Sequence, residues 1–320
     1  MEFLKGKTVL ISGASGYLGS TFVSKIADAD LKDLFLMVRS NNYKFNLNNK
    51  AKIIEGDILE KNIWQSVFKN KIEFIFHFAG QNISQKNTEE IFKSNFYSSI
   101  KFVESYLESN SEAKVVYLSS SNISGTQNEI IINENTFDNL CSEWSASKKM
   151  SEMLFYLSKY KGFKCVSLRL PNVYGVASNP ATFNRMSINK MIETAISKKI
   201  VTLYSNHRFK RDFMHISDVT DSILAAAKYF DLLNNREFYY VGSESLYSYD
   251  ELAEILKEIL YEKDIFISKL YDFDKLITAV EMRAGSIDSS LFRDITNWKS
   301  KYKLKNGLLK AINDYYSINK

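Results

Sequence analysis

Short apolar runs alternate with longer helical patterns through the first half of the chain. The apolar runs predict six strands: Thr8–Ser12, Leu34–Val38, Lys52–Glu55, Phe74–Phe78, Lys114–Leu118 and Cys165–Leu170. Helical periodicity predicts four helices: Tyr17–Asp28, Glu60–Lys69, Thr88–Glu108 and Trp144–Lys161. Runs such as Val9-Leu10-Ile11 are apolar at every position, which is typical of strands buried on both faces. The alternation predicts an α/β fold with a doubly wound parallel sheet.

The pattern changes after about Tyr174, where a long loop carries Pro180. From there, predicted helices alternate with short predicted strands: Phe183–Ser197, Val201–Tyr204, Ser217–Tyr229, Phe238–Val241 and Tyr249–Tyr261. We therefore expect two domains, residues 1–175 and residues 176–320. The second is a smaller mixed α/β domain whose chain crosses back to the sheet.

Composition and charge narrow the expected partners. The 320 residues carry 42 basic and 37 acidic side chains, a net charge of +5 without a dense basic block. This favours small anionic ligands over nucleic acid. Cys141 and Cys165 cannot make a disulfide framework, so we expect a reduced, cytoplasmic protein. The sequence predicts no membrane span and no zinc site, because long apolar runs and His/Cys clusters with zinc spacing are missing.

Three glycines lie between the first predicted strand and the first predicted helix. Gly13 permits a tight turn, Gly16 lets a pyrophosphate approach the backbone, and Gly19 lets the helix pack closely on the sheet. The helix N-terminus also presents N–H groups and partial positive charge to a phosphate. The segment predicts a Rossmann-type dinucleotide-binding domain whose cofactor contacts Gly13, Ser15, Gly16, Tyr17, Leu18 and Gly19.

Arg39 follows the second predicted strand, where NAD enzymes usually place an acidic residue against the ribose 2′-hydroxyl. A guanidinium suits a 2′-phosphate instead, so we predict NADP over NAD. A solvated loop residue is the alternative for Arg39. Further cofactor contacts are predicted after the third and fourth strands, at Asp57, Ile58, Phe78, Ala79 and Gly80. A simple strand-end turn is a close alternative for Asp57.

Motifs spread along the whole chain carry a family resemblance. Besides the glycine motif these are Val116–Ser121, Leu168–Gly175, Arg211–Val219, Ile287–Leu291 and Trp298-Lys299. In this order and spacing the chain resembles the extended short-chain dehydrogenase/reductases of the nucleotide-sugar epimerase/dehydratase group. The resemblance implies further cofactor contacts at Lys148, Pro171 and Val173. It also implies a homodimer joined by the helices Thr88–Glu108 and Trp144–Lys161, and a role in polysaccharide biosynthesis.

The resemblance implies a catalytic serine or threonine, followed by a Tyr-x-x-x-Lys pair. In that family the tyrosine moves a proton while a hydride passes to or from the nicotinamide, and the lysine binds the nicotinamide ribose. The serine here is Ser121, with Ser120 as the alternative register, and the lysine is Lys148. Trp144 stands at the tyrosine position.

An indole N–H donates a hydrogen bond but does not exchange a proton at useful pH. Three interpretations of Trp144 stay open. It is an engineered replacement, or another donor or water moves the proton, or the protein has lost redox chemistry and only binds its ligands.

The resemblance places Asn172 against the substrate near the nicotinamide and sets Arg211 and Arg283 on a nucleotide diphosphate, with a surface salt bridge as the alternative for each arginine. Family 4,6-dehydratases carry Thr-Asp-Glu where this chain has Ser121-Asn122-Ile123, so the acid and base for water elimination are missing. A 4-ketoreductase or a 4-epimerase of a nucleotide-linked sugar remains. Because a reductase consumes NADPH, Arg39 favours the 4-ketoreductase.

Overall fold

The computed structural model describes residues 1–47, 51–80, 87–125, 131–274, 282 and 284–318. The strands, in chain order, are β1 (Thr8–Ser12), β2 (Asp33–Val38), β3 (Ala51–Glu55), β4 (Phe74–His77), β5 (Lys114–Ser120), β6 (Ile131–Ile132), β7 (Cys165–Leu170), β8 (Asn172–Tyr174), β9 (Ile200–Tyr204), β10 (Phe213–His215), β11 (Tyr239–Tyr240), β12 (Ser268–Asp272) and β13 (Ser286–Ile287).

The helices are α1 (Tyr17–Lys25), α2 (Lys61–Phe68), α3 (Thr88–Phe92), α4 (Ser98–Glu108), α5 (Glu143–Ser158), α6 (Ser187–Lys198), α7 (Ile216–Lys228), α8 (Phe230–Leu233), α9 (Tyr249–Tyr261), α10 (Ser290–Thr296) and α11 (Leu304–Ile318). Shorter turns of 3-10 or π geometry also occur, and two of them concern the site. A π-helical turn, Lys93–Tyr97, joins α3 to α4, and a 3-10 turn, Ser121–Ser124, follows β5.

Seven parallel strands form the main sheet in the order β11-β7-β5-β4-β1-β2-β3. From β1 the chain builds outward to β2 and β3 on one side and then to β4, β5, β7 and β11 on the other. The order therefore reverses between β1 and β4, and ligands of open α/β sheets bind at the carboxyl ends of the strands at such a reversal. The predicted doubly wound parallel sheet is confirmed.

Two elements that the pattern grouped with the smaller domain pack on this sheet. Tyr239–Tyr240, in the predicted strand Phe238–Val241, pairs with Leu168–Arg169 at the sheet edge. Val219 and Ile223 of α7 are buried in the same core as the strands. Hydrophobic pattern alone does not specify the partner of a strand this short, which is set by tertiary packing.

A second hydrophobic core lies between α6, α9 and α11. Helix α11, which the pattern did not predict, passes directly over β8. A Cβ on Gly307 would overlap the phenol of Tyr174. Within the part of the chain that the structure describes, no helix is both long and apolar enough to cross a bilayer.

Candidate active site

The glycine turn between β1 and α1 brings three residues without side chains to the carboxyl edge of the sheet, beside a surface that we call the groove. Gly13 has φ +68°, and a Cβ there would lie 2.8 Å from the backbone nitrogen of Ala79. A Cβ on Gly19 would overlap the carbonyl oxygen of Gly13, and one on Gly16 would lie 3.1 Å from it. Gly16 caps α1 without a side-chain hydrogen bond. The three glycine positions thus present only backbone to the groove beside the N-terminus of α1, which fits the pyrophosphate of a dinucleotide.

The turn after β4 borders this groove. The Ala79 N–H donates to the Ser12 hydroxyl (3.3 Å), which also lies 2.7 Å from Nδ1 of His77. Burial and the nearby Lys148 charge lower the pKa of His77 to about 3. His77 is therefore a neutral core residue that joins β1 to β4 and sets the position of Phe78, Ala79 and Gly80.

The side chains at the start of α1 contact the loop after β8. The Tyr17 hydroxyl donates to the Gly175 carbonyl oxygen (2.6 Å), and the Asn179 amide donates to the Ser15 carbonyl oxygen (2.7 Å). Leu18 is partly buried against the adjacent core. The predicted cofactor contacts of Tyr17 and Leu18 therefore depend on their backbone N–H groups.

The residues after β2 and β3 lie at the same edge of the sheet. Arg39 is exposed immediately beyond β2. Oδ1 of Asp57 accepts a hydrogen bond from the Leu59 N–H (3.0 Å) within the turn after β3, and the cofactor contact of Asp57 stays a prediction. The Ile58 carbonyl oxygen accepts from the Trp64 indole (2.9 Å).

Lys148 is buried below the groove. Its Nζ donates to the Leu118 carbonyl oxygen (2.9 Å) and lies 4.7 Å from the centroid of the Tyr117 ring. A Cβ on Gly80 would lie 3.8 Å from this nitrogen, so the turn after β4 covers the amine. Burial lowers the pKa of Lys148 to about 8.

Trp144 lies one helical turn before Lys148, on the same face of α5. Ser142 and Ser145 form a capping box that fixes the start of this helix. The indole is buried, with 8% of the side chain exposed. The structure therefore places tryptophan and lysine together, as the Tyr-x-x-x-Lys spacing requires of the family's pair.

The two candidate serines have different surroundings. The Ser120 hydroxyl accepts from the Asn122 N–H (3.1 Å) and so caps the 3-10 turn. Ser121 instead lines a small cavity that it shares with Pro171, Asn172 and Arg211. This favours Ser121 as the serine of the site.

The cavity contains most of the predicted substrate residues. The guanidinium carbon of Arg211 lies 5.0 Å from the centroid of the Tyr249 ring, and the Asn172 amide donates to the Asp212 carbonyl oxygen (3.3 Å). Val173 is partly buried next to Asn172. Arg283 lies outside the described residues, although its neighbours Ala284 and Gly285 line the cavity.

Sequence reasoning missed Asn95. This residue is buried in the π-helical turn, and its amide donates to the Ser147 hydroxyl (3.0 Å). A Cβ on Gly80 would lie 2.9 Å from its Oδ1, so Asn95 and Lys148 flank the same glycine. Single-turn π bulges often occur at functional sites, but a 3.6-residue periodicity does not reveal them.

It also missed Asp212, which holds the far wall of the cavity. Its buried carboxylate accepts from the backbone N–H groups of Ser243, Glu244 and Ile287 and from the Ser243 hydroxyl. Burial raises the pKa of Asp212 to about 6 against these hydrogen bonds, which lower it. Among the residues that the structure describes, no group of three His, Cys, Asp or Glu side chains could hold a metal ion.

The fold and the open glycine turn define a Rossmann-type α/β protein. The sequence profile described as the NAD dependent epimerase/dehydratase family matches residues 9–242. The chain therefore belongs to this family of NAD-dependent enzymes.

Two curated relatives extend over nearly the whole chain. It is 24% identical over 317 residues to the UDP-glucose 4-epimerase of Lactobacillus helveticus, covering 92% of each chain. It is also 24% identical over 323 residues to the UDP-glucuronate 4-epimerase of Thermodesulfobacterium geofontis, covering 95% of this chain and 94% of the relative.

Solved structures share the fold. The UDP-glucose 4-epimerase of Thermotoga maritima with UDP-glucose superposes with a TM-score of 0.85 at 21% identity, covering 98% of this chain and all of the other. The UDP-glucose 4-epimerase of Bifidobacterium longum with NAD+ and UDP superposes with a TM-score of 0.84 at 19% identity, covering 97% of this chain and 98% of the other.

Proposed function

We propose that the protein is an NAD(P)-dependent oxidoreductase that moves a hydride at C4 of a nucleotide-linked sugar. One observation carries this proposal. The carboxyl edge of the sheet combines the open glycine turn, the buried Lys148 and the cavity that Ser121 shares with Asn172 and Arg211. A dinucleotide at the glycine turn and a nucleotide sugar against the residues that line the cavity would meet between Ser121 and Lys148.

Each group has a role that its chemistry supports. The backbone at the start of α1 binds the dinucleotide phosphates, and Lys148 binds the nicotinamide ribose. Arg211 binds the nucleotide diphosphate, because its planar guanidinium matches two phosphate oxygens. Asn172 and Ser121 orient the sugar oxygen. When bound, the nicotinamide supplies or accepts the hydride.

We favour 4-ketoreduction with NADP as the cofactor because Arg39 is exposed beyond β2. Calorimetry with NADPH and NADH tests the cofactor. We expect NADPH to bind at least tenfold more tightly, and Arg39→Ala to remove most of that difference while leaving NADH affinity unchanged. A clear preference for NADH in the unaltered protein would contradict the cofactor assignment.

A 4-epimerase is the second candidate, because both curated relatives reported above are named 4-epimerases. The two reactions differ in what they consume. A reductase oxidises one NADPH for each 4-keto nucleotide sugar, whereas an epimerase interconverts two sugars without net consumption of cofactor.

The assay measures NADPH absorbance with a 4-keto nucleotide sugar, and in parallel the interconversion of UDP-glucose and UDP-galactose by chromatography. Ser121→Ala, which removes the hydroxyl, is the control for a site-dependent signal. Consumption of NADPH supports the reductase, and interconversion supports the epimerase. Binding of both ligands without either reaction would identify a sensor and contradict the enzymatic proposal.

We also propose a homodimer through the surface of α4 and α5. Met153, Leu157 and Tyr160 follow one another at helical spacing, with 47%, 58% and 83% of each exposed. Exposed apolar side chains grouped at helical spacing are typical of a protein interface. Leu157→Lys should yield monomers in light scattering, whereas Leu232→Lys, at an apolar residue of α8 that is 61% exposed, should not. Monomers in the unaltered protein would contradict the dimer.

A further inference from the structure

Replacement of the family's tyrosine by Trp144 leaves a step of the proposed reaction without its usual proton carrier. Reduction of a ketone at C4 delivers a hydride to carbon and a proton to oxygen. The buried indole can donate a hydrogen bond to that oxygen but keeps its proton. Another group at the site must therefore supply the proton.

Most of the other ionisable groups near Lys148 are committed elsewhere. His77 is neutral and hydrogen-bonded to Ser12. Burial raises the pKa of the Tyr117 phenol, whose ring lies beneath the lysine amine. The Glu152 carboxylate, one turn further along α5, accepts from the Arg169 guanidinium (2.7 Å).

Asp212, across the cavity, is also committed. Its carboxylate accepts from the Ser243 hydroxyl (2.6 Å) and from the Ser243 (3.0 Å) and Glu244 (3.0 Å) N–H groups. Protonation of this group would disrupt the wall that it holds. It is therefore a positioning residue for the cavity.

Resting on the proposed function, we propose that Lys148 is itself the proton donor to the sugar C4 oxygen in this protein, in place of a tyrosine. Trp144 and Lys148 occupy successive turns of one face of α5, and the amine lies beneath the Gly80 turn that borders the cofactor groove. An ammonium carries three N–H donors, and only one of them is needed for the Leu118 carbonyl oxygen.

The step balances. In the reducing direction a bound reduced nicotinamide would supply the hydride to the carbonyl carbon, and the carbonyl oxygen would take a proton from the Lys148 ammonium. The C–O π bond, one N–H bond and the C–H bond that carries the hydride would break, while a new C–H bond and an O–H bond form on the sugar. The neutral amine then regains a proton from water.

The local environment supports this exchange. Burial disfavours the ammonium, while the negative charge of the Glu152 carboxylate favours it, and the resulting pKa of Lys148 is about 8. A lysine in water has a pKa of about 10.4 and would hold its proton too tightly at neutral pH. General acids work best when their pKa lies near the working pH.

Amine rescue tests the proposal against a purely structural role for Lys148. We expect Lys148→Ala to reduce the rate of ketone reduction at least 100-fold. Added methylamine or ethylamine should raise the rate of this variant at least tenfold and should saturate as the amine concentration increases. Added amine should leave the unaltered protein and Lys161→Ala, an exposed lysine of the same segment, unaffected. Lack of rescue by every small amine would overturn the proposal.

A second measurement does not depend on turnover. Calorimetry in buffers of different ionisation enthalpy counts the protons taken up when a dinucleotide binds at pH 8. We expect fractional uptake by the unaltered protein and none by Lys148→Arg, because arginine is already protonated. Equal uptake in the two proteins would overturn the proposal, and circular dichroism checks that the variant is folded.

Trp144→Tyr supplies the missing phenol. We expect this variant to turn over faster and to lose the inflection near pH 8 from its rate profile. Equal turnover by the unaltered protein and by Lys148→Arg would overturn the role of Lys148 and leave the proposed function standing. Absence of turnover and of nucleotide-sugar binding in the unaltered protein would overturn the proposed function as well.

Discussion

Gly13 and Gly6 have nearly the same backbone geometry in different surroundings. Their φ angles are +68° and +66°, but a Cβ on Gly13 would meet the Ala79 backbone, whereas nothing lies within 4 Å of one on Gly6. We expect Gly6→Ala to lower the free energy of unfolding by about 1 kcal/mol and to leave dinucleotide affinity unchanged. Gly13→Ala should lower the free energy of unfolding by more than this and weaken dinucleotide binding at least tenfold. Urea unfolding measures the stabilities and calorimetry the affinities. Equal dinucleotide affinities of the two variants would contradict a binding site at the Gly13 turn.

The buried guanidinium of Arg211 gives a second prediction at this scale. Arg211→Gln keeps a hydrogen-bonding side chain but removes the positive charge. The loss of charged hydrogen bonds should cost about 2–3 kcal/mol of nucleotide-sugar binding, or about 30- to 150-fold in Kd. Dinucleotide affinity should not change, and that measurement serves as the folding control. Unchanged sugar affinity would remove Arg211 from the substrate site.

Individual residues differ in how far sequence reveals them. Ser121 and Lys148 belong to motifs of fixed local spacing, so their positions could be predicted. The hydrogen bonds of Asn95 and Asp212 depend on contacts with Ser147, with the loop at Ser243 and with β13 at Ile287. Such contacts form only when distant segments pack, and no local pattern reports them.

Among the elements, β7 and α5 are joined by a buried ion pair. The Arg169 guanidinium donates to Glu152 (2.7 Å) and to Asp138 (2.6 Å), and both side chains of the Arg169–Glu152 pair are 0% exposed. Its carbon lies 3.5 Å from the centroid of the Phe238 ring, so the same arginine also contacts the segment before β11. This network fixes α5, and therefore Lys148, against the sheet.

Removal of Glu152 should leave the buried Arg169 guanidinium with only the partly exposed Asp138 as a carboxylate partner. We expect Glu152→Ala to lower the free energy of unfolding by about 3 kcal/mol, the lower end of the range for a broken buried ion pair. Glu258→Ala, which removes an exposed pair with Lys305, should change it by less than about 1 kcal/mol. Chemical denaturation measures the free energy of unfolding of both variants. Similar losses of stability in Glu152→Ala and Glu258→Ala would show that the buried ion pair is no more stabilising than the exposed one.

Element prediction succeeded where local signals were sufficient. The apolar run and glycine motif located β1 and α1, and helical periodicity located α5. The predicted single helix Thr88–Glu108 is divided into α3 and α4 by the π-helical turn Lys93–Tyr97. The helical periodicity of the sequence did not reveal this turn. Strand β11 has two residues, too few for their alternation to identify a sheet partner.

For the whole molecule, two buried histidines predict sensitivity to acid. Burial lowers the pKa of His215 to about 4 and that of His77 to about 3, from a usual value of 6.5. Below pH 6.5 these histidines therefore bind protons in the unfolded chain but stay neutral in the folded chain, so their contribution to stability falls as pH drops towards 4. At pH 5 each histidine should lower the free energy of unfolding by about 2 kcal/mol.

Urea unfolding at pH 7 and pH 5 measures this loss. His77→Gln keeps an acceptor for the Ser12 hydroxyl but does not titrate, so we expect its loss of stability between pH 7 and pH 5 to be about 2 kcal/mol smaller than that of the unaltered protein. A pH dependence equal to that of the unaltered protein would show that His77 does not remain neutral in the fold.

Helix α11 lies far from the glycine turn along the chain, yet its Gly307 rests on the ring of Tyr174. Tyr174 ends the strand that begins with Asn172, one of the residues that line the cavity proposed to bind the sugar. A chain shortened to end before Leu304 would leave the Tyr174 side chain uncovered on this side. If this cavity binds the sugar as proposed, the truncation should weaken nucleotide-sugar binding more than dinucleotide binding.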